Sequence, residues 1–205
     1  MNTKGVELMY IYDLSRNIAE SEPYEGDPQT EIEFIRKLED GDIYNLSKFS
    51  MCSHTGTHID APFHYDEDGE KIGDIRLSTF YGKCSVISFN DYITGEDMEK
   101  VLPFCKRRIL FHGEGNAYLM SSAAQVIADS KVMLVGTDAN SIATPFEEDR
   151  THSILARSGI CVIENLNLED IKDGHDYTLC AFPIRLDECE AAPCRAILLE
   201  QEKGF

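Results

Sequence analysis

Apolar residues fall into short runs along the chain, separated by charged or turn-forming positions. Six runs have strand length and end in Gly, Asp, Asn or Ser: Leu8 to Leu14, Cys84 to Phe89, Arg108 to Phe111, Val132 to Val135, Ile160 to Ile163 and Ala196 to Leu199. The run from Val132 continues into Gly136-Thr137-Asp138, the pattern of a buried strand feeding a functional loop. Helical signals are fewer. Ser121 to Asp129 offers a serine N-cap and an apolar stripe, and Phe146 to Arg157 lies between Pro145 and Gly159. Glu96 to Leu102 is closed by Pro103. Strands alternating with short helices predict an α/β (or α+β) fold around a mixed sheet. With no repeat, low-complexity tract or linker, residues 1–205 are expected to form one domain.

Composition narrows the partners. Asp and Glu outnumber Lys and Arg 37 to 19, a formal charge of −18. Such a surface repels phosphate backbones and anionic headgroups, so nucleic acid and membrane are not expected partners. No apolar run approaches the roughly 20 residues of a membrane span, and the first ten residues lack a signal-peptide core. Seven cysteines, with no Cys-x-x-Cys pair, read as buried thiols in a reducing compartment. A cytoplasmic location follows as the expectation.

The chemistry concentrates in one stretch. His54, His58, Asp60 and His64 fall within eleven residues, and imidazole with carboxylate suits zinc, manganese or iron. All four positions are even, so an extended chain would aim them to one side, with Thr55, Thr57 and Ile59 opposite. Full extension would separate residues 54 and 58 by about 13 Å, too far to share an ion held at about 2.1 Å. The segment is also poor for a helix. A kink at Gly56, with Pro62 stiffening the exit, is the predicted solution.

The run His-Thr-Gly-Thr-His-Ile-Asp-Ala-Pro-Phe-His resembles the His-x-Gly-Thr-x-x-Asp-x-Pro-x-His signature of the cyclase family of metal hydrolases, which includes bacterial arylformamidases and isatin hydrolases. Further similar segments are Ile11 to Ser15, Tyr24 to Pro28, Leu134 to Ile142, Thr151 to Leu166, Pro183 to Leu186 and Ala192 to Ala196, the last two as a final hairpin. The resemblance implies a compact swivelling β/β/α domain assembled as a homo-oligomer, dimer or tetramer. It implies His54, His58 and Asp60 as metal ligands and His64 as the catalytic histidine. His152 and Glu164 would complete a second site, with Asp60 able to bridge. The cofactor would be one or two divalent ions, zinc or manganese. The ion would activate water and polarise a carbonyl while His64 moves a proton to the leaving group. His112 and His175 match nothing and read as surface or loop histidines.

The implied reaction on a small-molecule substrate is hydrolysis of an amide, formamide or lactam, with N-formylkynurenine as the model. Two departures bear on the substrate. The chain has no tryptophan, and Glu25 stands where the family places a proline. An aromatic wall would have to come from Tyr24, Phe63, Tyr65 or Phe80, and Glu25 would disfavour some anions. The alternatives are a lactonase, cyclase or dehydratase on the same scaffold, or a metal-binding oligomeric protein without turnover.

Overall fold

The computed structural model describes residues 9–89 and 91–201; Leu8, the start of the first expected strand, lies outside them. The strands are β1 (Met9–Asp13), β2 (Glu31–Arg36), β3 (Leu46–Ser50), β4 (His58–Asp60), β5 (Tyr81–Ser88), β6 (Tyr92–Ile93) and β7 (Arg108–His112). They continue with β8 (Tyr118–Leu119), β9 (Leu134–Thr137), β10 (Cys161–Glu164), β11 (Tyr177–Cys180), β12 (Ala191–Pro193) and β13 (Ile197–Gln201). The helices are α1 (Gly95–Val101), α2 (Ser121–Ala128) and α3 (Glu148–Arg157).

Nine strands form one sheet in the order β1-β13-β11-β5-β7-β9-β10-β4-β12. The central run β5-β7-β9-β10 is parallel, and both flanks are antiparallel. The expected mixture of pairings is therefore present, and all six expected strands sit in this sheet. Each parallel step needs a crossover, and α1, α2 and α3 supply the three in succession.

Alternation along the central strands divides the core. Leu110, Leu134 and Ile163 point into one cluster, while Ile109, Phe111, Val135 and Val162 point into the other. The helices cover only the second, through Met98, Ala123, Ile127 and Leu155. The first is enclosed by the sheet itself, since it contains Leu198 from β13 and both Ile59 and Ala192 from the opposite end. The sheet must curl for both ends to reach one core. Just past β1, the Leu14 N–H donates to Ala196 O at 2.9 Å and Leu14 O accepts from Asn167 N–H at 2.8 Å, which fastens the curl.

The helix boundaries differ from expectation in instructive ways. Ser121 is not the N-cap of α2; Met120 occupies that position without a side-chain bond, and Glu147 Oε2 accepts the Ser121 N–H at 2.8 Å instead. A carboxylate from the neighbouring element thus does the capping, which local sequence does not reveal. Helix α3 begins at Glu148 rather than Phe146, because Glu147 N–H first closes a turn onto Thr144 O. Gly159, at φ +69, ends it as expected. Helix α1 carries a Thr94–Asp97 capping box and tightens into a 3-10 turn at Leu102–Phe104, around Pro103.

Candidate metal centre

Strand β4 carries the middle of the histidine cluster. It lies between β10 and β12, with Glu164 opposite His58 and Val162 opposite Asp60. Paired residues share a face, so His58, Asp60 and Glu164 emerge together while Ile59 and Ile163 enter the core. This is the helix-covered face, and α3 brings His152 onto it. All four groups are buried.

Gly56 adopts φ +69, a left-handed conformation that costs glycine little. The turn folds His54 back so that its ring centroid lies 4.9 Å from that of His58, which confirms the expected kink. A Cβ on Gly56 would also press within 3.3 Å of Ile18 and Ser21. The neighbouring Thr57 hydroxyl donates to Asn165 O at 2.7 Å and accepts the Arg16 N–H at 2.9 Å. It thereby ties the kinked segment to the residue after Glu164. Pro62 opens a 3-10 turn that ends at His64, whose ring sits 4.3 Å from that of His54.

The donor atoms converge. His54, His58 and Asp60 form one trio and Asp60, His152 and Glu164 another, with the donor atoms of each within 4.8 Å of one another. Asp60 belongs to both, and His64 to neither. Asp60 Oδ1 lies 3.0 Å from His54 Nδ1 and 3.2 Å from His58 Nε2. Yet neither Asp60 oxygen nor His58 Nε2 has a partner in hydrogen-bonding geometry. Close approach of buried donors without hydrogen bonds is what a cation between them would resolve, so the residues fit a divalent metal. His58 Nδ1 donates to Gly56 O at 2.9 Å, because a carbonyl can only accept; Nε2 is then the free nitrogen for a ligand.

Electrostatics follow from burial and crowding. Burial depresses His58, but the carboxylates of Asp60 and Glu164 outweigh it and raise the imidazole to about 9. Burial favours protonated Asp60, yet His58 and His54 hold it well below the usual carboxylate range. Burial and the Asp60 charge push Glu164 up to about 8. Burial lowers His152 to about 4 and also lowers His64. The neutral imidazole is therefore the resting form of both.

Further groups support the donors, and two of them, Glu190 and Ser53, escaped the sequence reading. Glu190, just ahead of β12, places Oε1 3.3 Å from His54 Nε2 and accepts from the Ser53 hydroxyl at 2.5 Å. A carboxylate behind a ligand-type histidine fixes its orientation and basicity. Ser141 Oγ lies 3.2 Å from His152 Nε2, and the Ile142 N–H donates to Glu164 Oε1 at 2.7 Å. These are the contents of the expected functional loop after β9. Tyr65 stacks on His152 at 4.7 Å.

The site forms the floor of a cavity of about 1150 Å³ that includes His54, His58, His64, His152 and Glu164 in its lining. Of the aromatic candidates, Tyr24 and Tyr65 line it, while Phe63 and Phe80 do not. Phe80 is buried in the sheet-enclosed core, and Phe63 packs under Lys71 Nζ. Glu25 does reach the lining, with Glu20, Glu22, Asp27, Glu148 and Asp149. Among the described residues Arg16 is the single Lys or Arg there, and its guanidinium is committed to the carbonyls of Asp138 and Leu166. His112 and His175 lie outside this lining; His112 approaches Asp138 and His175 pairs with Glu200.

The Cyclase family model matches residues 12–144. The chain belongs to the Cyclase family. Kynurenine formamidase of Delftia acidovorans is 30% identical over 202 residues, covering 92% of this chain and 96% of that protein. A solved structure described as a potential metal-dependent hydrolase with cyclase activity is 30% identical, with a TM-score of 0.80 over 96% of this chain and all (100%) of that one. Isatin hydrolase A from Labrenzia aggregata superposes with a TM-score of 0.84 at 17% identity, over 95% of this chain and 94% of its own, and shares the fold. Within this Cyclase-family chain the model's match ends before His152 and Glu164, so the second trio rests on the fold geometry.

Proposed function

We propose that this Cyclase-family chain is a metal-dependent hydrolase that cleaves an amide, formamide or lactam C–N bond, arylformamidase-like in its chemistry. The carrying observation is the pair of donor trios sharing Asp60, whose other members His54, His58, His152 and Glu164 line a cavity, with His64 beside them and outside both. His54, His58 and Asp60 would hold one divalent ion, and His152 and Glu164, with Asp60 as bridge, a second. Zinc and manganese both suit this donor set. The chemistry supplied by a cation there is Lewis acidity toward water and a carbonyl oxygen.

The protein's own groups do the rest. Half-buried His64 rests as the neutral imidazole, so it accepts a proton from water and returns it to the departing nitrogen. The bond made is C–O from water and the bond broken is C–N, with the water proton ending on the amine. Glu190 orients His54, and Ser141 with the Ile142 N–H orients His152 and Glu164. The kynurenine formamidase relative and the carboxylate-rich cavity together favour a neutral or zwitterionic aryl formamide over an anion.

The whole chain acts as one catalytic domain, and it assembles as a homo-oligomer. No helix among the described residues is long and apolar enough to cross a membrane, and all seven cysteines are free thiols, which supports a reducing, cytoplasmic setting. The test is a matched panel of aryl formamides, lactams and lactones offered to protein stripped of metal and reloaded with zinc or manganese. Metal-restored turnover of formamide or lactam supports the reading. Turnover of lactones alone, or none with either metal, overturns it.

A further inference from the structure

Six carboxylates line the cavity from two stretches of chain: Glu20, Glu22, Glu25 and Asp27 from the segment between β1 and β2, and Glu148 and Asp149 from the first turn of α3. Seven pairs of Lys or Arg with a carboxylate occur among the described residues, and none includes one of these six. The Tyr24 hydroxyl donates to Glu148 Oε2 at 2.9 Å and joins the two stretches. That hydrogen bond, then burial and the charges of Glu148, Glu164 and Glu25, push the Tyr24 phenol up to about 12. Burial, then the charges of Glu148 and Asp149, do the same for Tyr65. Both rings line the cavity and stand in a field of uncompensated negative charge. An acidic first turn suits the α3 dipole, but that does not account for the four carboxylates that the other segment brings to the same cavity. Nor is the place a patch of open surface. His58, 1% exposed and with Nε2 unpartnered, lines it too, so a ligand belongs there.

We propose that this rim selects an organic cation, so that the substrate carries an ammonium group apart from the C–N bond that is cut. The proposal rests on the hydrolase reading given above and narrows its substrate. Carboxylates beside aromatic rings are the chemistry that recognises an ammonium ion, by charge-assisted hydrogen bonds and by attraction to the ring faces. A cavity lined by one sign of charge also focuses its field and concentrates ligands of the opposite sign. The same field opposes a carboxylate on the substrate, and the Arg16 guanidinium is spent on main-chain carbonyls. The scissile group would lie at the trios and the ammonium at the rim. Glu25, standing where the resemblance placed a proline, is one of the six, so part of this rim is the chain's own.

The test compares kcat/KM for three formanilides of similar size, with a propyl, an aminoethyl or a carboxymethyl group at the meta position. The full chain is used at saturating zinc or manganese, so that any pull of the rim on the ion itself does not enter. The aminoethyl probe should exceed the propyl probe at least ~10-fold, the lower end of what a focused field supplies, and the carboxymethyl probe should fall below it. Raising salt from ~20 to ~500 mM should erase most of both differences. Glu25→Gln/Glu148→Gln should lower the aminoethyl-to-propyl ratio at least ~5-fold, since each such pair contributes a small factor. Glu25→Lys should lower the same ratio and raise the carboxymethyl-to-propyl ratio. Glu99→Gln removes an exposed carboxylate of α1 outside the cavity lining and should keep the wild-type ratio. A wild type that hydrolyses the propyl or carboxymethyl probe as well as the aminoethyl one overturns this proposal alone. So does a preference that the rim variants leave intact, or one that Glu99→Gln lowers as much, since that would assign it to net charge. Absence of turnover with all three probes and either metal overturns the arylformamidase-like chemistry on which the proposal rests, and the proposal with it.

Discussion

Asp60→Asn keeps the shape of a buried side chain and removes the one carboxylate common to both trios. The wild type, stripped of metal and then given metal at about 100 times its dissociation constant, should gain about 2.7 kcal/mol from binding to the folded state. For a chain of this size, 1 kcal/mol moves the melting temperature by about 2–4 °C, so the gain should be about 5–10 °C. Residues that merely orient a ligand cost about 10–100-fold in affinity when lost. Asp60, whose Oδ1 lies 3.0 and 3.2 Å from two imidazole nitrogens, should cost at least the upper figure. At the same metal concentration the variant would then sit near its dissociation constant, worth about 0.4 kcal/mol and about 1 °C. Scanning calorimetry with and without metal reads this directly. His152→Ala, which leaves the first trio whole, should keep at least half of the wild-type shift. An Asp60→Asn protein that still gains 5 °C or more (~) at that metal level would refute the shared-ligand geometry.

The remaining expectations concern single groups. His64→Gln should lower kcat by about 10²–10⁴ while metal stoichiometry by elemental analysis stays at the wild-type value; intact turnover would remove His64 from proton transfer. Glu190→Gln should weaken zinc binding about 10–100-fold in a chelator competition, with the metal-free melting temperature little changed, and Glu190→Asp should recover part of the loss; unchanged affinity would leave Glu190 without a role toward His54. His58, raised to about 9, and Glu164, raised to about 8, carry protons in the metal-free protein at neutral pH, and a bound cation must displace them. Zinc affinity should therefore rise from pH 6 to 9 (~), with proton release visible as a buffer-dependent heat in titration calorimetry, and a flat profile would contradict this. The linked stability has the opposite sign. Both pKa values lie above their unfolded values, so these groups stabilise the metal-free fold at low pH, and that contribution fades as pH rises through about 8 to 9.

Much of the site was legible in one stretch of sequence because its information is local. His54, His58, Asp60 and His64 sit within a few residues of a glycine whose backbone angles fold them together. The six strands of the large sheet were legible for a similar reason, since buried strands are short apolar runs. What local pattern does not encode is pairing. Glu190 reaches His54 only because β12 lies against β4, and Glu147 caps α2 only because α3 starts beside it. Phe80 looked available to a substrate and is instead core, because it sits just ahead of β5 and turns under the curl. The strand Ala191–Pro193 was legible only through the resemblance to a final hairpin, because alanine and proline are weak strand formers, tolerated here at a sheet edge.

The strand order also governs when the site can exist during synthesis. Strand β4 emerges early, but both its neighbours, β10 and β12, belong to the last part of the chain, and β1 waits for β13. A nascent chain therefore displays the imidazoles of residues 54–64 in solvent, unshaped, until nearly everything else has been made. Non-local pairing of this kind folds slowly. Ion selection is thus postponed to the finished fold, and an early-bound cation would meet only a flexible peptide with no geometric preference.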